Sequence, residues 1–295
     1  MAAAAAAASR LVGPKSASAA DPSPPEETDT AVGVLIDLTR CTGCNSCALA
    51  CKVANDKAQR ATPPDGFSSE SYSYVDEQVT ADGKTHFVKR QCMHCLHPAC
   101  VSACTVGALR KTPEGPVVYD AGKCIGCRYC QYACPFGVPT YAWDDPFGLI
   151  HKCQLCRQRL AVGEVPACVA ACPNGALRFG ERRALLSQAR AQIDSNPGRY
   201  VPTIYGEHEA SGTSILYLSS VPFTELGFPA LGTQPVPLYA EAIMQQTPLI
   251  ALSVASLATM MHLLFRRRNH LAEFSTNEEA GGAAQQDDQR AGDEQ

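Results

Sequence analysis

All sixteen cysteines of this 295-residue chain lie between residues 41 and 172, in four groups of four with none left over. The first group is Cys41, Cys44, Cys47 and Cys51, and the second is Cys92, Cys95, Cys100 and Cys104. The third is Cys124, Cys127, Cys130 and Cys134, followed by Pro135, and the fourth is Cys153, Cys156, Cys168 and Cys172, followed by Pro173. A disulfide framework is excluded on size, because such scaffolds are short secreted chains with a higher cysteine density. Clustered cysteines in a chain of this length point instead to a metal or an iron–sulfur centre.

Groups one and three read C-x2-C-x2-C-x3-C, the bacterial ferredoxin run. A 4Fe–4S cubane offers four iron corners in a tetrahedron. Three cysteines two residues apart let one tight loop wrap three corners. The fourth cysteine, a helical turn further on, points away and ligates the other cluster of a two-cluster module. A proline after it stops the helix. Group two inserts two residues before its third cysteine and group four inserts nine, which is tolerable because loop-closure cost grows slowly with length. Zinc is the competing reading, since C-x2-C pairs also build zinc ribbons. Zinc sites seldom use three closely spaced cysteines with a fourth before proline, so four 4Fe–4S clusters held by all sixteen thiolates are expected.

The flanks repeat as well. Ile36-Asp37-Leu38-Thr39-Arg40 precedes group one and Val118-Tyr119-Asp120-Ala121-Gly122-Lys123 precedes group three, each a short strand, an Asp and a basic residue. Gly107-Ala108-Leu109-Arg110 follows group two and Gly175-Ala176-Leu177-Arg178 follows group four. A repeated turn-then-strand unit implies stacked ferredoxin halves. Groups two and three are separated by 19 residues and groups three and four by 18, so spacing does not choose which groups share clusters and only leaves group one apart.

These motifs resemble the four-cluster iron–sulfur subunits of respiratory oxidoreductases, above all those of hydrogenase-2-type nickel–iron hydrogenases and the beta subunit of formate dehydrogenase N. The resemblance is carried by Gln91-Cys92-Met93-His94-Cys95, Cys100-Val101-Ser102-Ala103-Cys104, Cys124-Ile125-Gly126-Cys127-Arg128-Tyr129-Cys130 and His151-Lys152-Cys153-Gln154-Leu155-Cys156. It runs from about Val32 to Arg268. It implies that group one pairs with group four and group two with group three. Cys41, Cys44, Cys47 and Cys172 would then hold one cluster and Cys51, Cys153, Cys156 and Cys168 a second. Cys92, Cys95, Cys100 and Cys134 would hold a third and Cys104, Cys124, Cys127 and Cys130 a fourth. Thr105 departs from the family pattern, which has proline there. Tyr205-Gly206-Glu207, Gly212-Thr213 and Val221-Pro222-Phe223-Thr224-Glu225-Leu226 resemble the hydrogenase-type subunit more than the formate dehydrogenase one.

The implied fold is α+β: tandem ferredoxin-like 4Fe–4S dicluster modules with short strands and helices, plus one C-terminal transmembrane helix. The implied function is electron transfer, not catalysis, between a periplasmic catalytic subunit and a quinone-reactive integral membrane subunit. A nickel–iron hydrogenase is the favoured catalytic partner, with a formate dehydrogenase or other molybdopterin enzyme as the alternative. A zinc-bound structural scaffold and a soluble multi-cluster ferredoxin are the readings from outside this class.

Five segments are expected: a signal-like leader over 1–31, the four-cluster domain over 32–180, a connector over 181–247, a transmembrane helix over 248–265, and a basic flank with a disordered acidic tail over 266–295. In the leader, Ala17-Ser18-Ala19 fits a small-residue cleavage site. The leader has no twin arginine, although clusters assembled before export need a folded-protein route, so a start further upstream is expected. In the connector, Leu185, Leu186, Ala189 and Ile193 share one helical face, and Ser214 to Leu218 reads as a strand. The run PLIALSVASLATMMHLLF, Pro248 to Phe265, has no charge and is just long enough to span a bilayer. Arg266-Arg267-Arg268 follows. Positive flanks stay cytoplasmic, so the cluster domain is expected on the periplasmic side of the bacterial inner membrane. His262 is read as an interfacial residue, not a haem ligand.

Net charge is −4. Residues 269–295 hold seven acidic residues and one Arg, so the remainder is only slightly basic, which excludes an ordinary nucleic-acid binder. Lys52, Lys89, Arg90, Arg110, Lys111, Lys123, Arg128, Lys152, Arg157, Arg159 and Arg178 lie near the cysteines in sequence. Positive charge there would raise cluster potentials; a solvated basic face is the plainer reading. Trp143 and Tyr141 are read as packing rather than as an electron relay. There is no G-x-G-x-x-G, P-loop, nucleophile elbow or H-E-x-x-H; Gly83-Lys84-Thr85 lacks the required upstream glycine.

Overall fold

A computed structural model describes residues 31–57 and 61–293, with side chains to residue 270 except at residue 239. Apart from Ala31, the expected leader lies outside the described residues.

The chain opens with β1 (Val32–Asp37), a nearly all-buried strand, VGVLID. It is the middle of a three-stranded sheet. On one side β8 (Leu177–Glu181) runs antiparallel, with Ile36 opposite Leu177 and Val32 opposite Glu181. On the other, β9 (Ile215–Leu218) runs parallel, with Val34 opposite Ile215 and Asp37 opposite Leu218. A strand buried on both faces reads as a continuous apolar run, as β1 and β9 do. Three antiparallel hairpins complete the strands. They are β2 (Tyr74–Val79) with β3 (Thr85–Arg90), β4 (Leu109–Lys111) with β5 (Val117–Tyr119), and β6 (Thr140–Tyr141) with β7 (Ile150–His151).

The helices between strands are short: α1 (Ser46–Ala54), α2 (Ala99–Ser102), α3 (Tyr129–Ala133), α4 (Arg157–Leu160) and α5 (Ala167–Ala170). They pack as α1 on α5 and α2 on α3. The longer α6 (Arg182–Asp194) buries Leu185, Leu186 and Ala189, with Ile193 packed beside them against Leu35, Leu216 and Leu218 of the sheet. The face expected from helical spacing is the face that packs.

The connector is not a separate piece. β9 is bonded directly to β1, and residues to Leu238 form one compact unit. An edge at residue 180 would leave β1 without a parallel neighbour, and burial of Leu35 and Leu216 needs both sides.

The last element is α7 (Leu238–Asp293), one continuous helix through Pro248, forming almost all of a second compact unit. Its stretch Ala240–His270 is long and apolar enough to cross a membrane, with a mean hydropathy of 1.8 in its most apolar window. The span expected over 248–265 therefore sits inside a longer helix, and the tail expected to be disordered is helical to Asp293. Its Ala, Glu and Gln residues are good helix formers, so a helix once started in the apolar run has no local reason to stop at the arginines.

Candidate iron–sulfur centres

Two kinds of loop present the cysteines, and each kind occurs twice. In the first, a strand ends at an aspartate that caps a single 3₁₀ turn. Asp37 Oδ1 accepts from Thr39 N at 3.0 Å and from Thr39 Oγ1 at 2.7 Å, and Asp120 Oδ1 accepts from Gly122 N at 3.0 Å. Each turn delivers the leading cysteine of its group, with Cys41 N donating to Leu38 O and Cys124 N donating to Ala121 O, both at 3.2 Å. In the second kind, a four-residue helix carries the third cysteine, and a glycine at positive φ turns the chain into the next strand. Cys100 lies on α2 before Gly107 (φ 63°), and Cys168 on α5 before Gly175 (φ 57°).

The two kinds are joined in the same way. Asp37 N donates to Ala176 O and Asp120 N donates to Ala108 O, each at 2.8 Å. The β1/β8 pairing thus seats group one against group four, and the β4/β5 pairing seats group two against group three. This is the choice that spacing along the chain left open.

All four C-x2-C turns share one backbone device. The residue before the second cysteine has positive φ: Gly43 at 72°, His94 at 48°, Gly126 at 69° and Leu155 at 55°. The reversal turns amide N–H groups toward sulfur, with Gly126 N donating to Cys124 Sγ at 3.4 Å and Leu155 N to Cys153 Sγ at 3.3 Å. For Leu155 the left-handed conformation costs ~1–2 kcal/mol, offset by burial of its side chain in the main core. Gly43 has a second constraint, because a Cβ there would lie 2.5 Å from the Phe87 ring.

Thiols from different cysteine groups act on one another. Burial pushes Cys41 up, and Cys47, Cys44 and Cys172 push it the same way. Burial raises Cys153, with Cys51, Cys92 and Cys156 adding to it; it raises Cys156, with Cys168 adding. Burial raises Cys95, with Cys92, Cys134 and Cys100 adding, and pushes Cys100 up to about 12. Cys130 is pushed up to about 11 by burial, with Cys104, Cys124 and Cys127 adding. Cysteines far apart in the chain thus lie close enough to act on one another: Cys41 with Cys172, Cys153 with Cys51, Cys95 with Cys134 and Cys130 with Cys104.

Taken as the quartets that the resemblance implies, the thiols couple in series. Cys47 of the first acts on Cys51 and Cys168 of the second. Cys92 of the third acts on Cys153 of the second, and Cys130 of the fourth acts on Cys100 of the third. Cys44 and Cys127 are exposed, and the other fourteen cysteines are half-buried or buried.

The structure sorts the basic residues that sequence proximity left as one group. Arg110 and Lys123 are exposed, and Arg128 stacks over Tyr141 and Trp143, at 5.1 and 4.8 Å from their ring centroids. Trp143 is itself largely exposed, so it packs on Arg128 and Tyr141 rather than in a core. Lys52 is buried and donates to Thr62 O at 2.9 Å. Lys89 and Lys152 are different: both are buried, at 1% and 2% exposure, among the thiols. Burial works against a charge on Lys89, but Cys47, Cys168 and Cys51 outweigh it and hold its ammonium above the ordinary lysine value. Lys152 Nζ lies 3.9 Å from Cys92 Sγ and donates to Val117 O and Cys153 O. His94, quoted from the sequence only as part of the group-two motif, accepts from Val117 N at 2.9 Å through Nδ1 and ties group two to β5. Burial, with Lys152 and Lys111 nearby, keeps it neutral.

These features fit a 4Fe–4S cluster better than zinc. Zinc would draw four sulfurs to ~2.3 Å from one point, whereas a cubane keeps its four thiolates on separate iron corners. Among the described residues, no three His, Cys, Asp or Glu side chains are close enough to hold a single ion. Lys89 Nζ is buried without a hydrogen-bond partner, a costly arrangement unless an anionic group lies beside it. A thiolate-bound cluster is anionic.

Residues 84–182 match the model of the 4Fe-4S dicluster domain family. Over 253 residues the chain is 41% identical to a protein of Nitratidesulfovibrio vulgaris, covering 81% of this chain and 68% of that one. It is 36% identical over 240 residues to the hydrogenase-2 operon protein HybA of Escherichia coli O157:H7, covering 68% and 73% respectively. It is 32% identical over 210 residues to the iron-sulfur subunit of the nitrate-inducible formate dehydrogenase of Escherichia coli K12, covering 67% and 71%. With its cysteines in ferredoxin spacing and likeness along two thirds or more of these relatives, the chain belongs to the family of 4Fe–4S electron-transfer subunits of respiratory oxidoreductases.

Proposed function

We propose that this chain is a four-cluster electron relay between a catalytic subunit and a quinone-reactive membrane subunit. The observation that supports the reading is the coupling of thiols from different groups, from Cys47 through Cys51 and Cys153 to Cys92 and from Cys100 to Cys130, with Cys44 and Cys127 exposed. Cys41, Cys44, Cys47 and Cys172 hold the first cluster, and Cys51, Cys153, Cys156 and Cys168 the second. Cys92, Cys95, Cys100 and Cys134 hold the third, and Cys104, Cys124, Cys127 and Cys130 the fourth. When bound, a 4Fe–4S cluster supplies a one-electron carrier. The chain supplies the thiolates, the inward N–H groups that stabilise negative sulfur, and the burial that keeps water from thiolates such as Cys51 and Cys92. The bond-making chemistry belongs to the partner.

The likeness to HybA supports a nickel–iron hydrogenase as that partner, and the likeness to the formate dehydrogenase subunit supports a molybdopterin enzyme second. α7 serves as the membrane anchor. Arg266, Arg267 and Arg268 at the end of its uncharged run favour a cytoplasmic C-terminus and therefore a periplasmic cluster domain.

The test is anaerobic purification from solubilised membranes through a tag on the C-terminal tail. About sixteen irons and as many sulfides per chain, with an EPR signal on reduction, are expected; four zinc ions and no chromophore would overturn the relay. Viologen reduction by hydrogen supports the hydrogenase assignment, whereas reduction by formate replaces it with the molybdopterin one. Recovery of the full-length chain in the soluble fraction would overturn the anchor.

A further inference from the structure

The junctions between neighbouring thiol sets are built differently. At the first junction, between Cys47 of the first set and Cys51 and Cys168 of the second, stands Lys89. It projects from β3, where it pairs with Val75, and its backbone carbonyl accepts from Tyr217 Oη at 2.8 Å. Its side chain runs inward and its Nζ ends buried, with no hydrogen-bond partner among the described residues. At the second junction stands Lys152. Its Nζ bridges the two sets, 3.9 Å from Cys92 Sγ of the third and 2.8 Å from the carbonyl oxygen of Cys153 of the second. A third donation, to Val117 O at 2.6 Å, pins it there. At the third junction, Cys100 and Cys130 lie in the same small buried core, and the charges acting on Cys130 are the thiols of Cys104, Cys124 and Cys127. The other two buried lysines are engaged elsewhere: Lys52 at the Thr62 carbonyl and Lys57 over the Tyr72 ring.

We propose that Lys89 and Lys152 are potential-setting residues of the relay, each a buried ammonium placed between two clusters and raising the reduction potential of both. The inference rests on the quartets assigned above. Its physics is direct. Reduction adds one negative charge to a cluster, and a fixed positive charge in a low-dielectric interior favours that state far more than a solvated cation can. An ammonium lying between two clusters acts on both, so it levels them with each other. The first three clusters are thereby held up together, and the fourth, with no buried lysine placed beside it among the described residues, is left as the lowest step, at the end where Cys127 is exposed. Lys89 and Lys152 touch no substrate. They act through the clusters, as positioned charges.

The experiment is a potentiometric EPR titration of the purified complex carrying Lys89→Gln, Lys89→Met, Lys89→Arg or Lys152→Gln. Removing the Lys89 charge is expected to move two of the four clusters to lower potential and leave the other two in place. Lys152→Gln is expected to move an overlapping pair. Lys89→Arg, which keeps the charge, should restore the first pair. Should Lys89→Gln bind less iron, Lys89→Met against Lys89→Arg carries the comparison, and Met must titrate lower. Fully loaded Lys89→Gln and Lys89→Met proteins with unshifted potentials would overturn the proposal, as would an equal shift of all four clusters. A wild-type complex that lacks four clusters would overturn the quartets instead, a different and visible failure.

Discussion

The half built from groups one and four and the half built from groups two and three use the same loop pair, yet they are supported in opposite ways. In the first half the leading strand, β1, lies in a three-stranded sheet backed by α6; on one face a cluster of Leu35, Leu185, Leu186, Leu216 and Leu218 contains no cysteine, while on the other Val34 and Ile36 join a core that includes Cys47 and Cys168. In the second half the equivalent strand, β5, has only β4 beside it. Its small core is Cys100, Leu109, Val117, Cys130 and Ile150, with Cys104 and Cys124 packed alongside. Two-stranded units are marginal without further packing. The first half can therefore stand on aliphatic burial, while the second depends on what its thiols bind.

Iron removal should separate the halves most strongly. Anaerobic chelation is expected to abolish hydrogen-exchange protection around β4 and β5 while β1, β8 and β9 keep theirs. Equal loss in both halves would break the comparison.

Leu216→Ala should cost ~2–5 kcal/mol in the first half, read as a lower denaturant midpoint whether or not iron is bound. Leu109→Ala in the second half should show its cost mainly as lost iron.

The two capping aspartates sharpen the contrast at a smaller scale. Asp37 is wholly buried, and its other oxygen accepts from Gln192 Nε2 and Tyr200 Oη; Asp120 is exposed and caps one turn. Asp37→Ala should cost ~2–3 kcal/mol, because it leaves buried donors unpaired. Asp120→Ala should cost ~1 kcal/mol, the ordinary value of a cap. Thermal unfolding of the two variants side by side checks this, and equal costs would show that burial is not what distinguishes the halves.

The smallest effect is expected at Arg128, whose stacking on Tyr141 and Trp143 is close to solvent. Arg128→Ala should change stability by only ~0.5–1 kcal/mol, measured by denaturant midpoint.

Much of this organisation is legible in the chain itself. The apolar spacing of Leu185, Leu186, Ala189 and Ile193 marks the packed face of α6, and the uncharged run after Pro248 marks the apolar stretch of α7. The repeated Asp before groups one and three marks the cap, because only an acceptor side chain at that place closes the turn that aims the leading cysteine. The extent of α7 was less legible: polarity argues for a solvated tail, but helix propensity and continuity carry the backbone on to Asp293. The burial of Lys152 was not legible at all. A lysine directly before Cys153 looks like a surface residue until the Val117 carbonyl from β5 is seen to hold its ammonium inside.

By itself the sequence determined the number of thiols, the ferredoxin loops and the apolar helix, since ligand spacing, turn chemistry and hydropathy act over a few residues. Only the tertiary structure decided which groups meet across strand pairs and which lysines lose their water. Those outcomes depend on hydrogen bonds and burial between residues distant in chain order, from Lys152 and Val117, 35 positions apart, to Ile36 opposite Leu177. No local pattern encodes the desolvation that makes a charge there count.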